Sequence, residues 1–335
     1  MGLKILFFSH KFYPDVGGIE TNAEILAKSF TMAGHEVRLV TWTEAVGLIK
    51  FPFGIVRNPS LFQLFRQHRW ADIIFENNPC LRLAWPNLFF NLPSVVALNT
   101  WISRVDGSMG NVNRLKIFLL KRASKVIAVS NALKDKTWPD AVVIGNPFNN
   151  DLFRIIPGEK KMFDFVFLGR LVSDKGADIV IKAMAFFPNA KLTIIGDGPE
   201  LEALTTLTSD LKLSDRVKFT GILTGDILAQ TLNKHKYILV PSVWDEPFGS
   251  VVLEGMACGC LPIVSNCGGL SDAVGKAGVL FKRGDISSLV ASIKMVINDI
   301  ELENRLRQMA APHLASHFPK SIAKQYLSII EGAVI

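Results

Sequence analysis

Glu246 and Glu254 stand eight positions apart in the run Asp245-Glu246-Pro247-Phe248-Gly249-Ser250-Val251-Val252-Leu253-Glu254-Gly255. A helix opened by Gly249 would leave its first amides without partners inside the helix, free to meet an anion or a hydroxyl. Glu246 would then lie in the loop ahead of that helix and Glu254 more than a turn inside it. Each acid could hold a different part of a polyhydroxylated ligand. The competing reading is one loop acid and one solvated helix acid, and the rest of the chain has to choose between them.

Three further stretches bear on that choice. Gly169-Arg170-Leu171-Val172-Ser173-Asp174-Lys175-Gly176 follows an apolar strand candidate, so Arg170 and Lys175 straddle a turn at a strand's carboxyl end. Two cations so placed could grip a diphosphate, or could simply be solvated loop charges. Pro14-Asp15-Val16-Gly17-Gly18-Ile19-Glu20 follows the first apolar run. Its glycines allow a phosphate close to a helix N-terminus, though it is neither a P-loop nor a G-x-G-x-x-G. Gly196-Asp197-Gly198-Pro199-Glu200 imitates the start of a dinucleotide fingerprint but has Leu201 where a third glycine is needed, so no nicotinamide role is expected.

No metal is expected. The chain has no D-x-D, so a metal-bridged diphosphate held by paired aspartates is unsupported. Neutralisation would fall to Arg170, Lys175 and helix dipoles. Cys258, Cys260 and Cys267 lack a zinc-like partner pair and read as small buried residues. His313 and His317, four apart, have no third ligand nearby in the sequence.

The elements that must position these residues alternate short β-rich runs with amphipathic stretches, the pattern of a parallel α/β protein. Strand candidates are 4–8, 37–41, 72–75, 94–98, 126–129 and 142–144, with helices over 19–33, 61–69 and 113–123. The series restarts with 164–168, 192–195, 217–219, 237–240, 262–264 and 278–281. The turn-rich, charged stretch 145–161 separates the two. Two doubly wound domains facing across a cleft are therefore expected, with ligands at strand carboxyl ends.

At 335 residues, 49% hydrophobic and 20% charged, the chain can bury two cores and is not disordered. No apolar run reaches the ~18 residues of a membrane span, and the first apolar run is too short for a signal-peptide core. A cytoplasmic location is expected. Residues 1–150 hold 17 Lys and Arg against 10 Asp and Glu, whereas the remainder balances at 20 against 20. The excess points to an anionic partner of the first half, either an acidic acceptor or the inner face of a membrane. The stretch 113–122 is apolar with flanking cations, which suits an interfacial helix or a buried helix with basic ends. No recognised motif supports nucleic-acid binding.

Gly17-Gly18, Gly169-Arg170 through Lys175-Gly176, Phe219-Thr220-Gly221, Pro241-Ser242, Glu246 through Glu254 and Cys267-Gly268-Gly269 occur in this order. Together they resemble the retaining GT-B glycosyltransferases with an E-x7-E motif (family 4, glycosyl transferases group 1). The likeness covers nearly the whole chain and is strongest over 169–281. It implies an N-terminal Rossmann-like acceptor domain over 1–147 and a C-terminal donor domain over 148–318. A terminal helix in 319–335 would pack back on the first domain.

It further implies retaining, metal-independent transfer of a hexose-type sugar from a nucleotide-diphosphate sugar to a hydroxyl acceptor, anionic or lipid-linked. Arg170 and Lys175 would bind the diphosphate, with Gly17 and Gly18 closing from the other side. Glu254 would bind the ribose, and Glu246 the donor sugar, helped by amides around Phe248, Gly249 and Ser250. The segments at Gly198 and Ile222 would border the base. Where many relatives have a histidine against the donor sugar, this chain has Asn99, which can hydrogen-bond to a hydroxyl but cannot carry a proton near neutral pH. A GT-B-like epimerase, a phosphorylase and a catalytically silent nucleotide-sugar-binding subunit are the alternatives.

Overall fold

The computed structural model describes residues 2–334 apart from Val16, Val46, Leu48 and 104–106. Val16, within the Gly-Gly turn, thus lies outside the described residues. Two compact units emerge, one of Met1–Pro147 with Pro319–Ile335 and one of Phe148–Phe318.

The first unit opens with β1 (Lys4–Ser9), α1 (Gly18–Met32), β2 (Glu36–Thr41) and β3 (Gly54–Arg57). It continues through α2 (Leu61–Trp70), β4 (Ile73–Asn77), α3 (Leu81–Ala84), α4 (Asn87–Phe90) and β5 (Ser94–Leu98). It ends its first segment with α5 (Asn111–Leu120), β6 (Lys125–Ala128), α6 (Asn131–Thr137) and β7 (Val142–Val143). Its seven-stranded sheet has the order β3-β2-β1-β4-β5-β6-β7, and each neighbouring pair is parallel.

The second unit runs β8 (Phe163–Leu168), α7 (Ala177–Ala183), β9 (Leu192–Ile195), α8 (Leu201–Asp210), β10 (Val217–Phe219) and α9 (Gly225–Asn233). Then follow β11 (His235–Val240), α10 (Ser250–Ala257), β12 (Leu261–Ser265), α11 (Leu270–Val274) and β13 (Val279–Phe281). The helices α12 (Ile286–Asn298) and α13 (Ile300–Ser316) complete it, and α14 (Pro319–Gly332) belongs to the first unit. The six strands, again all parallel, have the order β10-β9-β8-β11-β12-β13.

Continuous apolar strands force this layering. In β1, Ile5 and Phe7 enter one core while Leu6 and Phe8 enter another on the opposite face. A strand apolar on both sides must be covered on both sides, which parallel crossovers accomplish with helices. α14 supplies part of that cover, burying Ile322, Tyr326 and Ile330 in the core that holds Phe7, Phe30 and Phe75. The half-buried edge strand β3 was not anticipated from the sequence. It begins on Gly54 and is a strand because β2 offers it an edge.

Candidate functional site

In each sheet the chain first winds outward to one edge, then returns to start again from the middle. The reversal lies between β1 and β4 in the first unit and between β8 and β11 in the second. Loops leaving neighbouring strands diverge at such a point and open a crevice at the strand carboxyl ends. Gly17 and Gly18 follow β1, Arg170 and Lys175 follow β8, and Glu246, Phe248 and Gly249 follow β11, all at these points. The other candidate site residues stand at neighbouring strand ends or within α10.

In the second unit, three loops meet there through their backbones. The loop after β8 contains a 3-10 turn, Ser173–Lys175, and the carbonyl of Asp174 accepts from the amides of Val243 (2.9 Å) and Trp244 (3.3 Å) after β11. The carbonyl of Glu246 accepts from Gly269 at 2.7 Å, which ties in the loop after β12. Gly268, at φ +55°, makes that approach possible, since a Cβ there would lie 2.3 Å from the Glu246 carbonyl oxygen.

This junction places Lys175 against Glu246. The Lys175 Nζ and Glu246 Oε1 form an ion pair, and Ser242 Oγ donates to the same oxygen at 2.7 Å. Ser265 Oγ in turn donates to the Ser242 carbonyl at 2.6 Å, which fixes the serine from the neighbouring strand. Glu246 is buried, with its charge met by one cation and one hydroxyl. The spacing in the sequence did not reveal this pairing, because the partners lie 71 residues apart. Ser242 was legible only as part of the Pro-Ser turn ending β11.

Beyond Glu246 the chain turns into α10, with Gly249 at its N-cap. The amides of Phe248, Gly249, Ser250 and Val251 find no acceptor among the described residues. They form a donor array of the kind that receives anions or hydroxyls. The Phe248 side chain does not face a ligand: it is buried, with its ring 5.6 Å from that of His317. Its contribution to the array is the amide alone.

Glu254, further along α10, has a partly exposed residue surface and no side-chain partner among the described residues. Protein atoms crowd its carboxyl, and this desolvation pushes its pKa up to about 7. The folded-state value lies above the unfolded one. Its contribution to stability is therefore fully present below about pH 4.5 and is lost as pH rises through about 7. The melting temperature of the ligand-free protein should accordingly fall relative to that of Glu254→Gln between pH 5 and 8. The underlying difference is of order 1–3 kcal/mol. Parallel melting curves against pH for the two proteins would contradict the assignment.

Arg170 is exposed and unpartnered among the described residues. The loop after β9 packs beneath it. Gly196, at φ +142°, lies so close that a Cβ would come 1.9 Å from the Gly169 carbonyl oxygen. Gly196 N–H donates to the Gly221 carbonyl at 2.9 Å, bringing Ile222 into the same row of loops with its side chain exposed. Gly198 also contacts this row, at the Leu171 carbonyl. The second unit thus gathers Arg170, Lys175, Gly198, Ile222, Glu246, Phe248, Gly249, Ser250 and Glu254 along one end of its sheet.

Gly17, Gly18 and Asn99 belong to the first unit. Gly17 caps α1 without a side-chain bond, and a Cβ on Gly18 would meet only open space. Asn99 is buried at the end of β5, where its Oδ1 accepts from Asn22 (2.9 Å) and its Nδ2 donates to Asn77 (2.7 Å). Asn22 also donates to Asn146 at 3.2 Å, and Asn77 donates to the Ile19 carbonyl at 3.0 Å. This buried asparagine network ties the first turn of α1 to the carboxyl ends of β4 and β5. It leaves Asn99 one lone pair and one N–H for other partners. Single asparagines at strand ends do not announce such a network in sequence.

The cysteines are buried and free, and burial raises the thiols of Cys258, Cys260 and Cys267 to about 12, 11 and 11. They are inert in that state. His313 Nε2 contacts the Ala273 carbonyl at 2.8 Å. Among the described residues no three His, Cys, Asp or Glu side chains gather in a metal-binding group.

Two parallel Rossmann-like sheets with this row of loops at the second switch point define a GT-B protein. A model of the family described as glycosyl transferases group 1 matches residues 149–312. The chain is 37% identical to an uncharacterised glycosyltransferase of Methanocaldococcus jannaschii over 81% of this chain and 83% of that protein. The chain belongs to the glycosyl transferases group 1 family. It is also 25% identical to the phosphatidylinositol N-acetylglucosaminyltransferase gpi3 subunit of Schizosaccharomyces pombe, covering 86% of this chain and 71% of that one. In fold it is similar to HepE of Anabaena, solved in complex with UDP and glucose. The TM-score is 0.80 at 24% identity, over 98% of this chain and 99% of that one.

Proposed function

We propose that this glycosyltransferase moves a hexose-type sugar, with retention, from a nucleoside-diphosphate sugar to a hydroxyl acceptor, without a resident metal. One observation carries the reading. The free amides at the start of α10, the Glu246–Lys175 pair before them and the unpartnered Glu254 inside the helix form a graded series of donors, cation and acceptors. A nucleoside-diphosphate sugar has the complementary series of hydroxyls and phosphates.

In this reading Glu254 accepts from the ribose hydroxyls, and Glu246 holds a hydroxyl of the donor sugar. The α10 amides, Arg170 and Lys175 take up the charge that develops on the departing diphosphate. Gly198 and Ile222 border the base. The first unit, for its part, offers open backbone at Gly17 and Gly18 and the remaining hydrogen-bonding capacity of Asn99. Proton transfer falls to the substrate: the leaving phosphate oxygen takes the acceptor's proton as the acceptor oxygen attacks on the same face. No protein nucleophile is needed for that step.

A thermal-shift series with uridine, guanosine and adenosine diphosphates and their sugars tests the donor assignment. The matching nucleotide should raise stability by about 2.7 kcal/mol at a hundredfold excess over Kd. No shift with any of them would overturn the reading. Product analysis with donor alone and with added phosphate separates transfer from epimerisation and phosphorolysis. The anomeric configuration of the product decides retention.

A further inference from the structure

The stretch 113–122 admitted two readings in sequence, a buried helix with basic ends or an interfacial helix. In the structure α5 buries only Leu120, while Val112, Leu115 and Phe118 are exposed. These three recur every third residue and so share one side of the helix. They have company on neighbouring elements. Leu61 and Phe62 of α2 and Leu88 and Phe89 of α4 are exposed as well. The three phenylalanines Phe62, Phe89 and Phe118 show 77%, 72% and 61% of their surface to solvent.

The elements are continuous with one another. The ring of Phe65 in α2 lies 5.7 Å from Trp85 and 6.1 Å from Phe89. Trp85 and Leu88 then line the same cavity as Lys116 and Leu119 of α5.

Glu76 of β4 also lines that cavity, where its carboxyl accepts from the Cys80 amide at 2.7 Å, but the helices of this face carry charges of one sign. Neither α2, α3, α4 nor α5 contains an aspartate or glutamate. Arg66, Arg69, Arg82 and Arg114 are exposed, Lys116 is half-buried, and Lys121 and Arg122 stand exposed just after α5. None of the seven has an acidic partner among the described residues. A monomer rarely leaves so many large apolar side chains together in water. Apolar side chains among unpaired cations match the boundary of a bilayer that carries anionic headgroups, where burial and charge attraction act together. Among the described residues no helix is long and apolar enough to cross a membrane.

We propose that the α2–α4–α5 face of the first unit, with Phe62, Phe89 and Phe118 as its inserting side chains, docks on the surface of an anionic lipid bilayer. The experiment is co-sedimentation of the full chain with phosphatidylcholine vesicles and with vesicles containing about a third phosphatidylglycerol. The protein should pellet with the anionic vesicles alone and be released as salt screens the cations. The variant F62E/F89E/F118E should lose roughly tenfold or more of that partitioning. Phe186→Glu, a control at an exposed position of the second unit, should lose none. Circular dichroism and the nucleotide thermal shift, expected unchanged, show that the triple variant is folded and keep this test separate from the donor assignment. Failure of the native chain to bind anionic vesicles would overturn the proposal, as would undiminished binding by the triple variant. Self-association abolished by the triple substitution, with no vesicle binding by the native chain, would instead make this face a protein interface.

Discussion

Arg170→Ala should lower turnover by two to three orders of magnitude while leaving the melting temperature nearly unchanged. The stability half of this expectation follows from what Arg170 touches. It is exposed, in a loop at the carboxyl end of β8, and no acceptor among the described residues holds its guanidinium. Surface substitutions of that kind usually change stability by less than ~0.5 kcal/mol. The catalytic half follows from electrostatics. A guanidinium aimed at the diphosphate would count most as negative charge builds on the leaving group, and removing one such donor costs ~2.7–4 kcal/mol of barrier. Initial rates at saturating and limiting donor, with melting curves beside them, check both halves. Near-native turnover would remove Arg170 from the site.

Lys175→Met should be damaging in both respects. Glu246 is buried, and the substitution leaves it with Ser242 and no counter-ion. Breaking a fully buried pair costs ~3–5 kcal/mol; here roughly 2–4 kcal/mol is expected, because Lys175 keeps about a quarter of its side chain exposed. Turnover should fall at least a hundredfold from the loss of the cation. The double variant Lys175→Met/Glu246→Gln separates the two effects. It removes the stranded charge, so stability should recover most of the loss while turnover does not. Recovery of turnover in the double variant would show that Lys175 serves only to neutralise Glu246.

The α/β class and most strands were legible because a buried parallel strand is a short apolar run whatever surrounds it. β1, β5, β9 and β10 lie where their valine-, isoleucine- and phenylalanine-rich segments predict. β3 escaped because its strand character comes from the edge of β2 rather than from its own four residues. The E-x7-E spacing and the Gly-Arg-to-Lys-Gly loop likewise marked the family, since their spacing is local and survives translation into a turn and a helix start.

The pairing of Lys175 with Glu246, the clamp of Ser265 on Ser242 and the asparagine network around Asn99 are tertiary facts. Each joins residues from different strand ends, which only the sheet order makes neighbours. The same holds for α5. Its sequence is equally suited to burial and to an interface, and only the packing of the first unit shows that its apolar side is uncovered. By itself the sequence determined which residue types stand at strand ends and helix starts, because those depend on neighbours along the chain. Which of them meet was decided by the winding of two parallel sheets, because a crossover connection brings distant strand ends within hydrogen-bonding reach at the switch point.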